Sequence, residues 1–248
     1  MSAPIPLIAG NWKMNGLGAS LAEAQAIAAG LDGVTARVAL CPPSTLLERM
    51  AKALAGSRVL VGGQDCRAEA SGAFTGDISA AMLADAGAVM TILGHSERRT
   101  GYAETAPTVA RKVEAALRAG LEPIICVGET LEERRSNITL EVVTMQIRGS
   151  MPAMLAERDF TVAYEPVWAI GTGLTPTLAQ IEETHRAIRG VIVKMFGEAK
   201  GASVPILYGG SVNPKNAAEI LRTPEVGGAL VGGASLKAVD FLQIVRAV

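Results

Sequence analysis

Cysteine is scarce in this chain of 248 residues: Cys41, Cys66 and Cys126 stand far apart, with no CxxC pair among them. An odd, scattered set excludes a disulfide framework and a cysteine-rich zinc site. Excess charge of either sign is also missing, with 23 Lys and Arg against 24 Asp and Glu. That balance argues against nucleic acid or a membrane surface as partner, since both leave a net basic signature. No run approaches the ~18 apolar residues of a membrane span. The opening MSAPIPLIAGNWK lacks a basic stretch followed by a long apolar one, so no signal peptide is expected and the expected location is cytoplasmic. What the chain has is apolar content, 49% of residues, with only 19% charged. A chain this long buries about three-quarters of its unfolded surface and needs no metal or disulfide staple. Its length suits a single α/β barrel, which typically takes about 250 residues.

Eight short aliphatic runs recur along the chain: 5–10, 36–41, 58–63, 88–93, 121–126, 160–165, 204–209 and 227–233. Most are continuously apolar, as strands buried on both faces of a parallel sheet are. Helix signals lie between them. Thr130 with Glu133, and Thr177 with Gln180, fit capping boxes. Asn213-Pro214 reads as a cap followed by proline at the first helical position, and Thr105 and Ser235 are further cap candidates. Leu178, Ile181, His185, Ile188 and Ile192 form one apolar stripe. Eight strand–helix units without a linker predict one closed (β/α)8 barrel over residues 1–248, rather than a doubly wound sheet.

In such a barrel, functional groups stand at the C-terminal strand ends. Asn11 and Lys13 follow the first predicted strand, His95 to Arg99 the fourth, Glu165 ends the sixth, Ser211 follows the seventh and Gly232-Gly233 the eighth. The glycine-rich turns after the last two strands suit a phosphate held by backbone N–H groups, with Gly171 or Gly173 adding another. Neither GxGxxG nor GxxxxGK[ST] is present, which argues against a dinucleotide or nucleoside triphosphate. Glu165, at the end of an apolar strand, is expected to have a raised pKa and to act as a base. His95 is expected to be kept neutral by a helix N-terminus. Lys13 suits a developing oxyanion, or a Schiff base. A metal site is not expected, since His95 has no HxH or HExxH companion. The segment PVWAIGTG pairs a stiff start, Pro166-Val167-Trp168, with Gly171 and Gly173, as a hinged lid does. Together these groups predict a cofactor-free aldose–ketose isomerisation of a small sugar phosphate, through an enediol(ate).

The segments AGNWKMN (9–15), GAFTGDIS (72–79), LGHSERR (93–99), CVGETLEER (126–134), AYEPVWAIGTG (163–173), YGGSV (208–212) and LVGGASL (230–236) resemble the triosephosphate isomerases, in family order along essentially the whole chain. The resemblance implies that Glu165 is the proton-shuttling base, His95 the neutral electrophile, and Lys13 and Asn11 the oxyanion holders. It implies phosphate contacts from Gly171, Ser211, Gly232 and Gly233, and supporting roles for Ser96, Glu97 and Cys126, with Glu97 pairing Lys13 while the lid is open. Residues 166–176, including Ala169, Ile170 and Gly173, would be the lid.

A homodimer is implied as well, through a loop of residues about 64–79 that brings Thr75 to the partner's Asn11 and His95. Three departures from the family pattern bear on dimer strength and lid rate: Asp65, Asp77 (expected to form a looser intersubunit pair with Arg98) and Leu174-Thr175-Pro176. Open alternatives are an isomerase of another short phosphosugar such as a tetrulose phosphate, a Schiff-base aldolase using Lys13, and a silent phosphosugar-binding protein.

Overall fold

The structure is a computed structural model that describes residues 4–172 and 174–248, so Gly173 of the expected lid lies outside the described residues. All eight predicted strands form: β1 (Leu7–Asn11), β2 (Arg37–Cys41), β3 (Val59–Gly63), β4 (Met90–Leu93), β5 (Glu122–Val127), β6 (Thr161–Tyr164), β7 (Ile206–Tyr208) and β8 (Gly228–Val231). They pair in parallel in chain order and close on themselves, β8 onto β1, with Leu7 opposite Gly228 and Gly10 opposite Val231. Closure depends on Gly228. Its φ is +136°, and a Cβ there would lie 2.0 Å from the Leu7 carbonyl oxygen.

Two apolar layers explain the continuous strand pattern. One face of the strands fills the barrel with Leu7, Ala9, Ala39, Cys41, Met90, Ile92, Ile124, Cys126, Ala163, Leu207 and Leu230. The other face packs on the helices, where Ile181, His185, Ile188 and Ile192 form a fully buried stripe. Leu178, expected in that stripe, is exposed at the first turn of its helix. Strands buried on both faces need no polar alternation.

The helix starts follow local chemistry at three places. Thr130 caps Leu131–Arg135 and Thr177 caps Leu178–Phe196, each through a complete capping box. Thr105 accepts from the Thr108 N–H at the start of Ala106–Arg118. Two expected starts fall elsewhere. Asn213 holds a turn, its Oδ1 accepting from the Lys215 N–H at 2.9 Å, and the helix begins only at Ala217. Ser235 lies inside a single 3-10 turn and donates to Gly232 O at 2.7 Å. The helix Ala238–Val245 is capped instead by distant Glu23, whose Oε2 accepts from the Ala238 N–H at 2.8 Å.

Candidate active site

The barrel closure brings Asn11, Lys13, His95 and Glu165 to the C-terminal ends of β1, β4 and β6, all at one mouth. Glu165 follows β6 directly and is 1% exposed. Its N–H donates to Val127 O at 2.8 Å, and a Cβ on neighbouring Gly128 would meet the Glu165 carbonyl oxygen at 1.7 Å. Only glycine at 128 lets the ends of β5 and β6 approach this closely. The Glu165 carboxylate accepts from His95 Nε2 at 2.8 Å and from the Ser96 N–H at 2.9 Å.

His95 caps the short helix Ser96–Gly101, with its Nδ1 accepting from the Glu97 N–H at 3.2 Å. That bond places the ring proton on Nε2, facing Glu165. The expected pKa directions reverse in this arrangement. Burial works to lower the His95 pKa, but the Glu165 carboxylate against it raises it above the ordinary value. Burial likewise works to raise the Glu165 pKa, but His95 and the Ser96 N–H hold it below the usual carboxylate range. The pairing of the two groups, absent from a residue-by-residue reading, outweighs desolvation.

Lys13 sits in the left-handed region, φ +52°, which a non-glycine residue rarely adopts. The Lys13 N–H donates to Asn11 Oδ1 at 3.0 Å, and Gln64 Nε2 donates to both Lys13 O and Cys41 O. Nζ of Lys13 pairs with Glu97 Oε1 at 2.5 Å, the partner implied for an open lid. Cys126 is buried beneath Glu165, and burial followed by the Glu165 charge raises its thiol pKa well above the ordinary value. A thiol so placed packs and does not attack.

Pro166 leads into the 3-10 turn Val167–Ala169, whose Trp168 Nε1 donates to Glu129 Oε1 at 3.0 Å. Ile170, Gly171 and Thr172 follow on the surface side, and Ser211 Oγ reaches across from the loop after β7 to donate to Ala169 O at 2.7 Å. Gly232 lies beside Lys13, with a Cβ there 3.6 Å from the lysine Cε, and Gly233 opens the 3-10 turn after β8. Residues 166–172, the β7 and β8 loops and the His95–Glu165 pair thus surround one opening.

A family model described as triosephosphate isomerase matches residues 6–248. The chain belongs to the triosephosphate isomerase family. It is 58% identical over 248 residues to the triosephosphate isomerase of Caulobacter vibrioides, covering 99% of this chain and 98% of that protein. It is 59% identical to the triosephosphate isomerase of Afipia carboxidovorans, covering 98% and 97%. A crystal structure of triosephosphate isomerase from Bartonella henselae superposes with a TM-score of 0.90 at 51% identity, covering 98% of each chain. Triosephosphate isomerases are aldose–ketose isomerases of glycolysis, and membership in the family does not favour the tetrulose phosphate alternative.

Thr75 is exposed, on the loop between β3 and the helix Ala80–Asp85. Within the chain Asp77 pairs with Arg67 at 2.5 Å, and Arg98 pairs with Asp65 at 2.8 Å and Glu104 at 2.6 Å. Gln64 and Glu129, beside the site, are given no role in the sequence reading, and Arg99 appears there only within the run His95 to Arg99. Each acts through backbone carbonyls or buried donors distant in sequence, which leave no local spacing to read. No helix among the described residues is long and apolar enough to cross a membrane.

Proposed function

We propose that this site interconverts D-glyceraldehyde 3-phosphate and dihydroxyacetone phosphate, with Glu165 as the base and His95 as the electrophile. The observation that carries this reading is the His95 Nε2 to Glu165 Oε1 contact of 2.8 Å, an imidazole N–H and a carboxylate side by side at a buried strand end. Glu165 takes a proton from the carbon next to the carbonyl, and the electron pair moves to the carbonyl oxygen. His95 gives its Nε2 proton to that oxygen and takes the hydroxyl proton from the oxygen on the deprotonated carbon, and as that oxygen's electron pair forms the new carbonyl the acid form of Glu165 returns its proton to the former carbonyl carbon. To reach a carbon, the carboxylate leaves the Ser96 N–H that now holds it. Substrate parting the pair removes the contact that holds the Glu165 pKa down. Burial then acts on Glu165 without that offset and raises its basicity. The same step takes the carboxylate from His95, while the Glu97 N–H on Nδ1 keeps the ring in its neutral Nε2–H form.

The Lys13 ammonium and the Asn11 side chain stabilise the enediolate oxygen. Backbone N–H groups of Gly171, Ser211, Gly232 and Gly233 hold the phosphate. Residues 166–176 close over it, with the Trp168–Glu129 bond as their fixed end, and exclude water from the enediolate. Ser96, Glu97 and Cys126 hold these groups in place. The proposed assembly is a homodimer, in which the loop around Thr75 enters the groove of about 460 Å³ that Gln64, Asp65, Arg98, Tyr102 and Lys112 help to line. The proposed location is the cytoplasm.

The test is interconversion of the two triose phosphates by purified protein in EDTA, with tetrulose phosphates in parallel. Fast triose turnover is expected. Turnover of tetruloses alone, or none from folded protein, overturns the assignment.

A further inference from the structure

Arg99 lies on the same short helix as His95's cap, Ser96–Gly101, and its guanidinium is partly buried behind the site. Its Nε donates to Gly94 O at 2.9 Å. Its Nη2 donates to Cys126 O at 3.0 Å and to Ser150 Oγ at 3.2 Å. Among the described residues no carboxylate pairs with it, and its partners are two carbonyls and a hydroxyl. Adjacent Arg98 is used differently, in ion pairs with Asp65 and Glu104. A cation withdrawn from water without an anion is costly to place. The position of its acceptors shows what that cost maintains.

Gly94 immediately precedes His95 and has φ +67°, so it sets the direction in which the histidine leaves β4. The space where a Gly94 Cβ would sit is already filled, by Val109 at 2.8 Å and by Arg99 Nη2 at 3.0 Å. Cys126 lies opposite Ala163 in the β5–β6 register, and the next β5 carbonyl, Val127 O, accepts the Glu165 N–H. One planar guanidinium therefore ties the peptide before His95 to the end of β5, whose Val127 O accepts the Glu165 N–H. We propose that Arg99 is a positioning residue for the isomerisation: it clamps the His95 turn to the end of β5 and so sets the separation of His95 Nε2 from Glu165. The proposal rests on the reading of His95 and Glu165 as the proton-transfer pair.

The fork geometry matters because two carbonyls on different elements must be reached at once. A lysine ammonium, a point donor on a flexible stem, does not hold that plane. The phosphate cradle proposed above lies on the loops after β6, β7 and β8, remote from these contacts, so loss of the clamp acts on the chemical step and spares binding. A misplacement of about 1 Å at the reacting groups costs roughly 10²-fold in rate.

Arg99→Met and Arg99→Lys, made beside wild type, test this with steady-state kinetics and ¹⁵N NMR of the His95 ring. Active sites are counted by titration with a phosphate-bearing enediolate analogue. For Arg99→Met the expected result is kcat lower by ~10²-fold with KM within about 2-fold, and a His95 ring signal no longer that of a single Nε2–H tautomer. Arg99→Lys, which keeps the charge and part of the bonding, is expected to recover part of the kcat loss. It is read alone for kcat and ring signal if the methionine variant does not fold. Normal kcat per titrated site in the folded variants, or a rise in KM with kcat kept, overturns the clamp. Absence of triose turnover in wild type would instead overturn the assignment of the site.

Discussion

His95 and His185 are both buried, yet their pKa values move in opposite directions, and the difference lies in what faces each ring. His185 has no charge to compensate it: Nδ1 lies 3.2 Å from Glu225 O, Nε2 has no partner among the described residues, and burial lowers its pKa to about 4. Between about pH 4 and 6.5 the unfolded chain binds a proton there and the folded chain does not, so stability rises with pH across that window. It is lost as pH falls. Taking 6.5 as the unfolded value, the loss by pH 5 is about 2 kcal/mol. His185→Gln keeps a donor for Glu225 O and removes the titration. Denaturant midpoints measured at pH 7 and pH 5 should therefore diverge less for the variant than for wild type, and equal divergence would refute the assignment. Glu165→Asp probes the other pair. The carboxylate stays but retreats by one methylene, so kcat should fall by roughly 10²-fold with the fold intact. Near-wild-type kcat would mean that another group is the base.

At the scale of elements, the ends of β5 and β6 are where backbone packing and chemistry meet. Gly128→Ala would drive a Cβ against the Glu165 carbonyl, a backbone atom that cannot swing aside. The expected outcome is a lower melting temperature together with reduced kcat, since relief of the clash moves the peptide that carries the base. A melting temperature kept at the wild-type value would show that the close approach is not needed. The strands themselves were legible because a strand buried on both faces is an unbroken aliphatic run, and all eight such runs became strands. The Thr130 and Thr177 caps were legible because both partners lie within three residues. Ser235 misled because the cap of the following helix comes from Glu23, at the other end of the chain. The same limit applies at the site. Glu165, His95 and Lys13 carry distinctive side chains at strand ends. Gln64 and Arg99 bind carbonyls, which every residue possesses, so no spacing announces them. The pKa directions of His95 and Glu165 were misread for a related reason: the contact between them exists only after the barrel closes.

For the whole molecule, the least economical feature of an isolated barrel is the apolar surface it leaves exposed. Met14 is 96% exposed, Leu17 80% and Tyr102 71%, although burying one such aliphatic side chain is worth about 1.5–3 kcal/mol. Met14 directly follows Lys13, whose φ of +52° is sustained by Asn11 and Gln64, and Gln64 also lines the groove. A second copy seated there would cover Met14 and press on the turn that holds the lysine, which links assembly to the active site. Two copies related by a two-fold axis would each offer the same loop and groove, the arrangement of an isologous interface. Sedimentation of wild type should accordingly give a dimer. Met14→Asp places a charge on the exposed residue next to Lys13 and, if a second copy covers it, should shift the equilibrium toward monomer, with kcat lower by ~10²-fold because Lys13 and His95 lose their outer support. Raising the protein concentration should restore both dimer and rate together. If wild type sediments as a monomer at full turnover, or if monomeric Met14→Asp keeps the wild-type kcat, the barrel works alone and the exposed methionine serves something other than a second copy.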